Sequence, residues 1–207
     1  MGWYSTQVVP RLVNTACGSR VTRVRRQQVC SGLHGRVLEI GFGSGLNVPF
    51  YPADVQVVDA VEPADVGWRL AARRLAASPV AVRRSGLDGQ LLPFADDTFD
   101  GALSTWTLCT IPDPLAALRE VRRVLRPGAA LHFVEHGLAP DASVQRWQHR
   151  LEPFQQRLAG GCHLTRPITA LLSDAGWDVL GLQTLYERGA PKVLGADVTG
   201  TAVPSGP

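Results

Sequence analysis

The sequence predicts an α/β fold: a doubly wound, mainly parallel sheet of seven strands with one antiparallel edge strand. Three observations lead there. Short β-rich runs alternate with helical segments along most of the chain. The first of these runs ends in a glycine cluster that opens a helix, as a buried parallel strand does where it reaches the ligand end of a sheet. The last two runs are joined by a short turn. A parallel pair needs a crossover of about a dozen residues or more, so this pair must run antiparallel.

The elements follow in order. Residues 6–31 read as one helical segment with a polar face at Arg20, Arg23, Arg25 and Arg26. That face is expected to be solvated; the other reading is a lid helix whose cations attract an anionic substrate. Val37–Ile40 is the first strand and Val55–Glu62 the second. Asp65–Ala77 is helical, with Leu70, Ala71 and Leu75 on one face. Val80–Arg84 and Thr98–Ser104 are the third and fourth strands. Pro114–Leu125 is a helix stopped by Pro127-Gly128, and Ala129–Glu135 is the fifth strand. Ser143–Leu158 and Pro167–Ala175 are helices, the second closed by Gly176. Trp177–Leu185 and Lys192–Thr201 are the final strands, turning around Gly189.

Bulk properties narrow the function. With 207 residues, 45 % apolar and 19 % charged, the chain can bury a sizeable core without disulfides or a structural metal. A net charge of +3 with no basic stripe argues against a nucleic-acid partner. The four cysteines, Cys17, Cys30, Cys109 and Cys162, form no C-x-x-C pair and read as reduced thiols of a cytoplasmic protein. No apolar run reaches the roughly 18 residues of a membrane span, and no signal peptide is evident. The first six residues match a myristoylation pattern, which is short and often met by chance.

The segment Glu39-Ile40-Gly41-Phe42-Gly43-Ser44-Gly45 is the first candidate site. Glycines there let the backbone turn sharply and approach a ligand closely. The spacing is Gly-x-Gly-x-Gly. Leu46 stands where a dinucleotide fingerprint needs its third glycine, and no Gly-Lys-Ser/Thr follows for a phosphate loop. Glu62 ends the second strand, where a carboxylate can accept both hydroxyls of a ribose. Glu39 interrupts an apolar strand. Buried there, it needs a donor: the ammonium of a bound amino-acid moiety, or N–H groups of the glycine loop.

At this point the residues resemble a family. Val37–Asn47 is similar to the first motif of class I S-adenosylmethionine-dependent methyltransferases, and Glu62 matches their acidic ribose ligand. Leu92-Pro93-Phe94 through Phe99-Asp100, and Leu118–Gly128, look like their segments before the fourth and fifth strands. The resemblance implies S-adenosylmethionine as the methyl donor. It assigns to the donor site Glu39, Gly41, Phe42, Gly43, Asn47, Glu62, Pro63, Asp88, Gly89, Thr105 and Trp106. Gln90 departs from the usual acidic residue beside the adenine position. It also divides the chain, read as one domain over 1–207, into a helical cap or lid at 1–33, a cofactor-binding core at 34–136, and substrate-side helices with the antiparallel strands at 137–207.

A closer resemblance covers the second half. Trp106-Thr107-Leu108-Cys109, Phe133-Val134-Glu135-His136 and Gly161-Cys162-His163-Leu164-Thr165-Arg166 are similar to the vertebrate methyltransferase-like proteins that methylate alkyl thiols. Those carry an N-terminal membrane-associating segment, and no comparable apolar stretch is present in this sequence. Bacterial quinone and phospholipid methyltransferases share the motif set. The expected acceptor is a small, lipophilic molecule, with sulfur favoured over a quinone carbon or a phospholipid amine; a catalytically inactive donor-binding sensor or scaffold is the reading from another class.

A thiol acceptor must lose a proton. His136, ending the fifth strand, is the preferred base, and His163 the second candidate. His132 and His136 lie on one face of the strand, but no Cys/His cluster has metal-ligand spacing, so no metal is expected. Cys109 and Cys162 read as small buried thiols, and Trp106 as a wall of the methyl site.

Overall fold

The structure is a computed structural model that describes residues 7–206; the myristoylation pattern lies outside them. Two short helices come first, α1 (Val9–Ala16) and α2 (Arg20–Cys30). The single segment expected over 6–31 breaks at Ser19, whose side chain accepts the Thr22 N–H at 3.2 Å and caps α2. Then follow β1 (Gly35–Ile40), β2 (Val55–Val61), α3 (Asp65–Ala76), β3 (Ala81–Gly86), β4 (Phe99–Thr105), α4 (Pro114–Val124) and β5 (Leu125–His136). The chain ends with α5 (Ala142–Leu158), α6 (Ile168–Asp174), β6 (Trp177–Tyr186) and β7 (Ala196–Pro204).

The seven strands form one sheet in the order β3, β2, β1, β4, β5, β7, β6. The first five are mutually parallel, and β7 is antiparallel to both β5 and β6. The reversed strand thus sits one place in from the edge, with β6 outermost. The final strand starts at Ala196, later than the expected Lys192. Pro191 opens a turn instead, its carbonyl accepting from the Leu194 and Gly195 N–H groups at 2.8 and 3.0 Å. Among the described residues no helix is long and apolar enough to cross a membrane.

Successive residues of each central strand face opposite layers. Leu38, Ile40, Ala102, Leu131 and Phe133 pack with Leu118 and Val121 of α4 and with Ile168 and Leu172 of α6. Val37, Val58, Leu103 and Val134 pack on the other side with Val29 of α2, Ala71 of α3 and Phe42. This two-sided burial explains the near-continuous apolar runs of the central strands.

The register brings the functional residues together. Ile40 pairs with Val61 and with Ser104, and Thr105 pairs with Val134. Gly41, Glu62, Trp106 and His136 therefore leave or end four neighbouring parallel strands at the same edge of the sheet.

Candidate active site

A cavity of about 840 Å³ opens at that edge. Its wall includes Gly41, Gly43, Glu62, Pro63, Asp88, Gly89, Trp106 and His136. The other side is apolar, with Val9, Leu12 and Val13 of α1, Ile111, and Leu158 at the end of α5.

The glycine loop is shaped from both sides. Gly41 has φ +67°, and a β-carbon there would meet the Thr107 hydroxyl at 2.1 Å. Gly43 has φ +58°, and a β-carbon there would meet only the Gly41 carbonyl, at 3.9 Å. Gly41 is required by packing. Gly43 instead presents bare backbone to the cavity, the arrangement a closely approaching ligand needs. Glu62 braces this loop: Oε2 accepts the Gly43 N–H and Oε1 the Ala64 N–H, both at 2.6 Å. Burial pushes its carboxyl up, against the pull of those two N–H groups and of Arg84.

Glu39 is fully buried and does not line the cavity. Its donors are side chains, not the glycine-loop N–H groups or a ligand as expected. Asn47 Nδ2 donates to Oε1 at 2.9 Å, and the Tyr51 hydroxyl donates to Oε2. Burial raises Glu39 to about 7 despite these bonds. Asn47 also donates to the Thr105 hydroxyl at 2.9 Å. Arg26 completes the network, donating to Asn47 Oδ1 at 2.7 Å, to Thr105 Oγ1 at 3.0 Å and to the Cys17 carbonyl at 3.3 Å.

Arg26 corrects the reading of the N-terminal arginines. Arg20 and Arg23 are exposed, but Arg26 is buried, its guanidinium 4.7 Å from the centre of the Trp106 ring. It is neither a solvated face nor a lure for anions; it ties α2 to the strand ends. Glu39, Asn47 and Thr105 support the cavity from behind, as does Phe42, which packs on Trp68 with ring centres 5.0 Å apart.

The turn after β4 is held in an unusual conformation. Trp106 has φ +51°, a left-handed backbone that a non-glycine residue adopts under local constraint. Three bonds fix it. The Trp106 N–H donates to the Val134 carbonyl at 2.8 Å, its indole N–H to Asp197 Oδ1 at 3.0 Å, and the Thr107 N–H to Glu135 Oε2 at 2.8 Å. Burial lifts Glu135 to about 7 and Asp197 to about 6.

His136 is buried in the cavity wall. Its Nδ1 lies 3.5 Å from Cys162 Sγ, and its Nε2 has no hydrogen-bond partner among the described residues. Burial alone would lower this imidazole. The bond to Cys162 and the charges of Cys162, Asp197 and Glu135 outweigh burial and leave it raised. His163 is drawn elsewhere. Its Nδ1 lies 2.8 Å from Glu152 Oε1 and 2.9 Å from Gln156 Nε2 on α5, and it does not line the cavity. The ring expected as an alternative base is thus engaged by α5 and anchors the turn that follows it. His132 points toward the N-terminal segment, where a β-carbon on Gly32 would meet its ring.

Sequence reading missed Cys162 and Asp197 as members of this site. Asp197 carried a local signal, a carboxylate in the run Ala196-Asp197-Val198. Cys162 stood within the Gly161–Arg166 segment but was read as a small buried thiol, because its partners come from other elements.

Comparison with known proteins agrees with this geometry. A family model described as a methyltransferase domain matches residues 38–133, from β1 to β5. The human thiol S-methyltransferase TMT1B is 32 % identical over 84 % of this chain and 73 % of its own length. The chain belongs to the class I S-adenosylmethionine-dependent methyltransferases. Other relatives of this methyltransferase include the rat thiol S-methyltransferase TMT1B, 34 % identical over 63 % of this chain, which spans 54 % of that relative's length. A phosphatidylethanolamine N-methyltransferase of Cereibacter sphaeroides is 29 % identical over 70 % of this chain and 71 % of its own. Among solved structures, a Thermotoga maritima protein described as a possible histamine N-methyltransferase superposes with a TM-score of 0.67 at 23 % identity, covering 96 % of this chain and 99 % of that one. The cyclase SpnF gives 0.72 at 19 % identity over 98 % and 94 %. These last two establish the shared fold and nothing about the acceptor.

Proposed function

We propose that this methyltransferase moves a methyl group from S-adenosylmethionine to the sulfur of a small lipophilic thiol. When bound, the donor supplies a methyl group on a positively charged sulfur that leaves as a neutral thioether. The observation that carries the reading is His136 Nε2, a buried nitrogen without a hydrogen-bond partner among the described residues, in the wall of the same cavity as Gly43 and Glu62.

Each chain residue has a distinct part in this reading. Glu62 holds the ribose: each of its oxygens keeps a second lone pair after taking one backbone N–H. Gly43 lets the donor lie against bare backbone, while Pro63, Asp88 and Gly89 flank the adenine and Trp106 walls the methyl position. Glu62 and Asp197, carboxylates of the cavity wall, offer negative charge to a cationic donor where they are ionised. His136 Nε2 accepts the proton of the acceptor S–H. A free thiol has a pKa of about 8.5, so modest help suffices. Val9, Leu12, Val13 and Leu158 receive the alkyl part of the acceptor. In this reading α1 and α2 act as a lid, since α1 supplies that apolar wall. Alignment of the reacting atoms accounts for most of the acceleration, on the order of 7–11 kcal/mol.

The names of the human and rat relatives support sulfur, and that of the Cereibacter relative leaves an amine as the competitor. The test is a panel of lipophilic thiols, quinones and phospholipid amines with labelled donor. At least a tenfold preference in kcat/KM for a thiol is expected; a preferred amine or quinone would overturn the assignment to sulfur.

A further inference from the structure

Three thiols line the cavity, Cys17, Cys109 and Cys162, and methyl transfer uses none of them covalently. Two stand together. The His163 N–H donates to the Cys109 carbonyl at 2.9 Å, which draws the turn after α5 against the turn after β4. Gly160 and Gly161, with φ +63° and +89°, give that turn its shape and deliver Cys162 into the wall. There Cys162 Sγ lies 3.5 Å from His136 Nδ1, in the same wall as the Cys109 thiol.

We propose that Cys109 and Cys162 form a redox-active dithiol, a modification site at which hydrogen peroxide drives disulfide formation and detaches Cys162 from His136. The groups facing Cys162 are Cys109, His136, Gln155 and Cys17, with Arg166 close enough to interact with its charge. The bond from Cys109 lowers the Cys162 thiol most. The His136 bond and charge add to it, burial opposes, and the thiol is left lowered. Cys109 is pushed well above the usual thiol range by its bond to Cys162 and by burial, and burial takes Cys17 to about 11. Of the two thiols, Cys162 is thus the more readily ionised and Cys109 the one that keeps its proton. The thiolate is the nucleophile in such chemistry, and a neighbouring thiol resolves the product.

The chemistry balances in two steps. The Cys162 thiolate attacks one peroxide oxygen and the O–O bond breaks, giving a sulfenic acid and hydroxide. Cys109 then gives up its proton, its sulfur attacks Cys162 Sγ, and the sulfenic hydroxyl leaves as water. Each sulfur loses one electron, peroxide gains two, and the hydroxide is protonated to a second water. This inference does not depend on which acceptor the enzyme uses.

The experiment uses the full chain, reduced and then freed of reductant. Iodoacetamide at pH 6 should label Cys162 at least tenfold faster than Cys17. Peroxide followed by alkylation and peptide mass analysis should show a Cys109–Cys162 cross-link. Cys109→Ser should stop at a sulfenic acid on Cys162, trapped by dimedone, and Cys162→Ser should give neither product. Oxidised enzyme should lose methyl transfer, keep donor affinity, and recover with dithiothreitol. Equal labelling of Cys162 and Cys17, a cross-link to Cys17 instead, or four free thiols after peroxide would each overturn the proposal. The labelling and cross-linking of the unmutated chain decide it even where a variant fails to fold.

Discussion

His136 Nδ1 and Cys162 Sγ meet at 3.5 Å although 26 positions separate them in sequence. When the imidazole N–H points at the sulfur, the Nε2 lone pair is left without a partner among the described residues, much as a carboxylate fixes the tautomer of a catalytic histidine. A base must be neutral to accept a proton. Activity is therefore present above the pKa of His136 and lost as pH falls through it. Because that pKa is raised, the acid limb of kcat/KM should lie above the ordinary value of about 6.5. Cys162→Ser should move the limb back down. His136→Ala should lose about a hundredfold on a high-pKa alkyl thiol and far less on a low-pKa aromatic thiol, with donor affinity unchanged. Rates on such a pair between pH 6 and 9 provide the check; equal losses on both would make His136 a positioning group only.

Glu62→Ala should weaken donor binding at least tenfold. The substitution removes two acceptors proposed for the ribose, and bonds to a charged group contribute about 1.5–3 kcal/mol each. It also frees the Gly43 and Ala64 N–H groups that Glu62 holds now. Glu62→Gln keeps the shape and one acceptor, so its loss should be smaller. Calorimetry with the donor product reads both, and unchanged affinity in the alanine variant would remove Glu62 from the ribose.

The two loop glycines should fail differently. Gly41→Ala drives a methyl group into Thr107 and should unfold at lower urea, with binding lost through the fold. Gly43→Val faces open cavity and should keep a near-native circular dichroism spectrum while abolishing donor binding. A Gly43 variant that binds normally would reduce the loop to a turn.

Arg26→Leu should destabilise the protein by about 3–5 kcal/mol, because it strands the polar groups that the guanidinium serves. The loss should grow with pH. Glu39 is already raised to about 7, above its unfolded value, so the folded chain holds its proton more tightly and loses stability as pH rises. Without the nearby cation its pKa climbs further, extending that loss upward. Urea denaturation at pH 6 and pH 8 should show the larger deficit at pH 8.

What was legible in the sequence is what local chemistry determines. The glycines of the first loop, the apolar strand runs and the acidic residue ending β2 each announce themselves within a few positions. So does the break at Ser19, a capping residue three positions before Thr22, although periodicity alone reads through it. The interior of the site was hidden because its bonds are long-range. Arg26 looks like one more arginine on a polar face until Asn47 and Thr105, 21 and 79 positions away, close around it. The bond from Trp106 to Asp197 spans 91 positions. His163 shows the converse: histidine chemistry suggested a base, but Glu152 and Gln156 had already engaged its ring.

The most direct measurement follows the methyl group itself. The enzyme, S-adenosylmethionine bearing a trideuterated methyl, and a lipophilic alkyl thiol are incubated at pH 8 and the products weighed by mass spectrometry. The account predicts a trideuteromethyl thioether formed in equal amount with S-adenosylhomocysteine, and little of either with the Glu62→Ala or His136→Ala variant. Tight donor binding with no thioether, and no methylated quinone or amine in the parallel reactions, would contradict it and leave a donor-binding module in place of an enzyme.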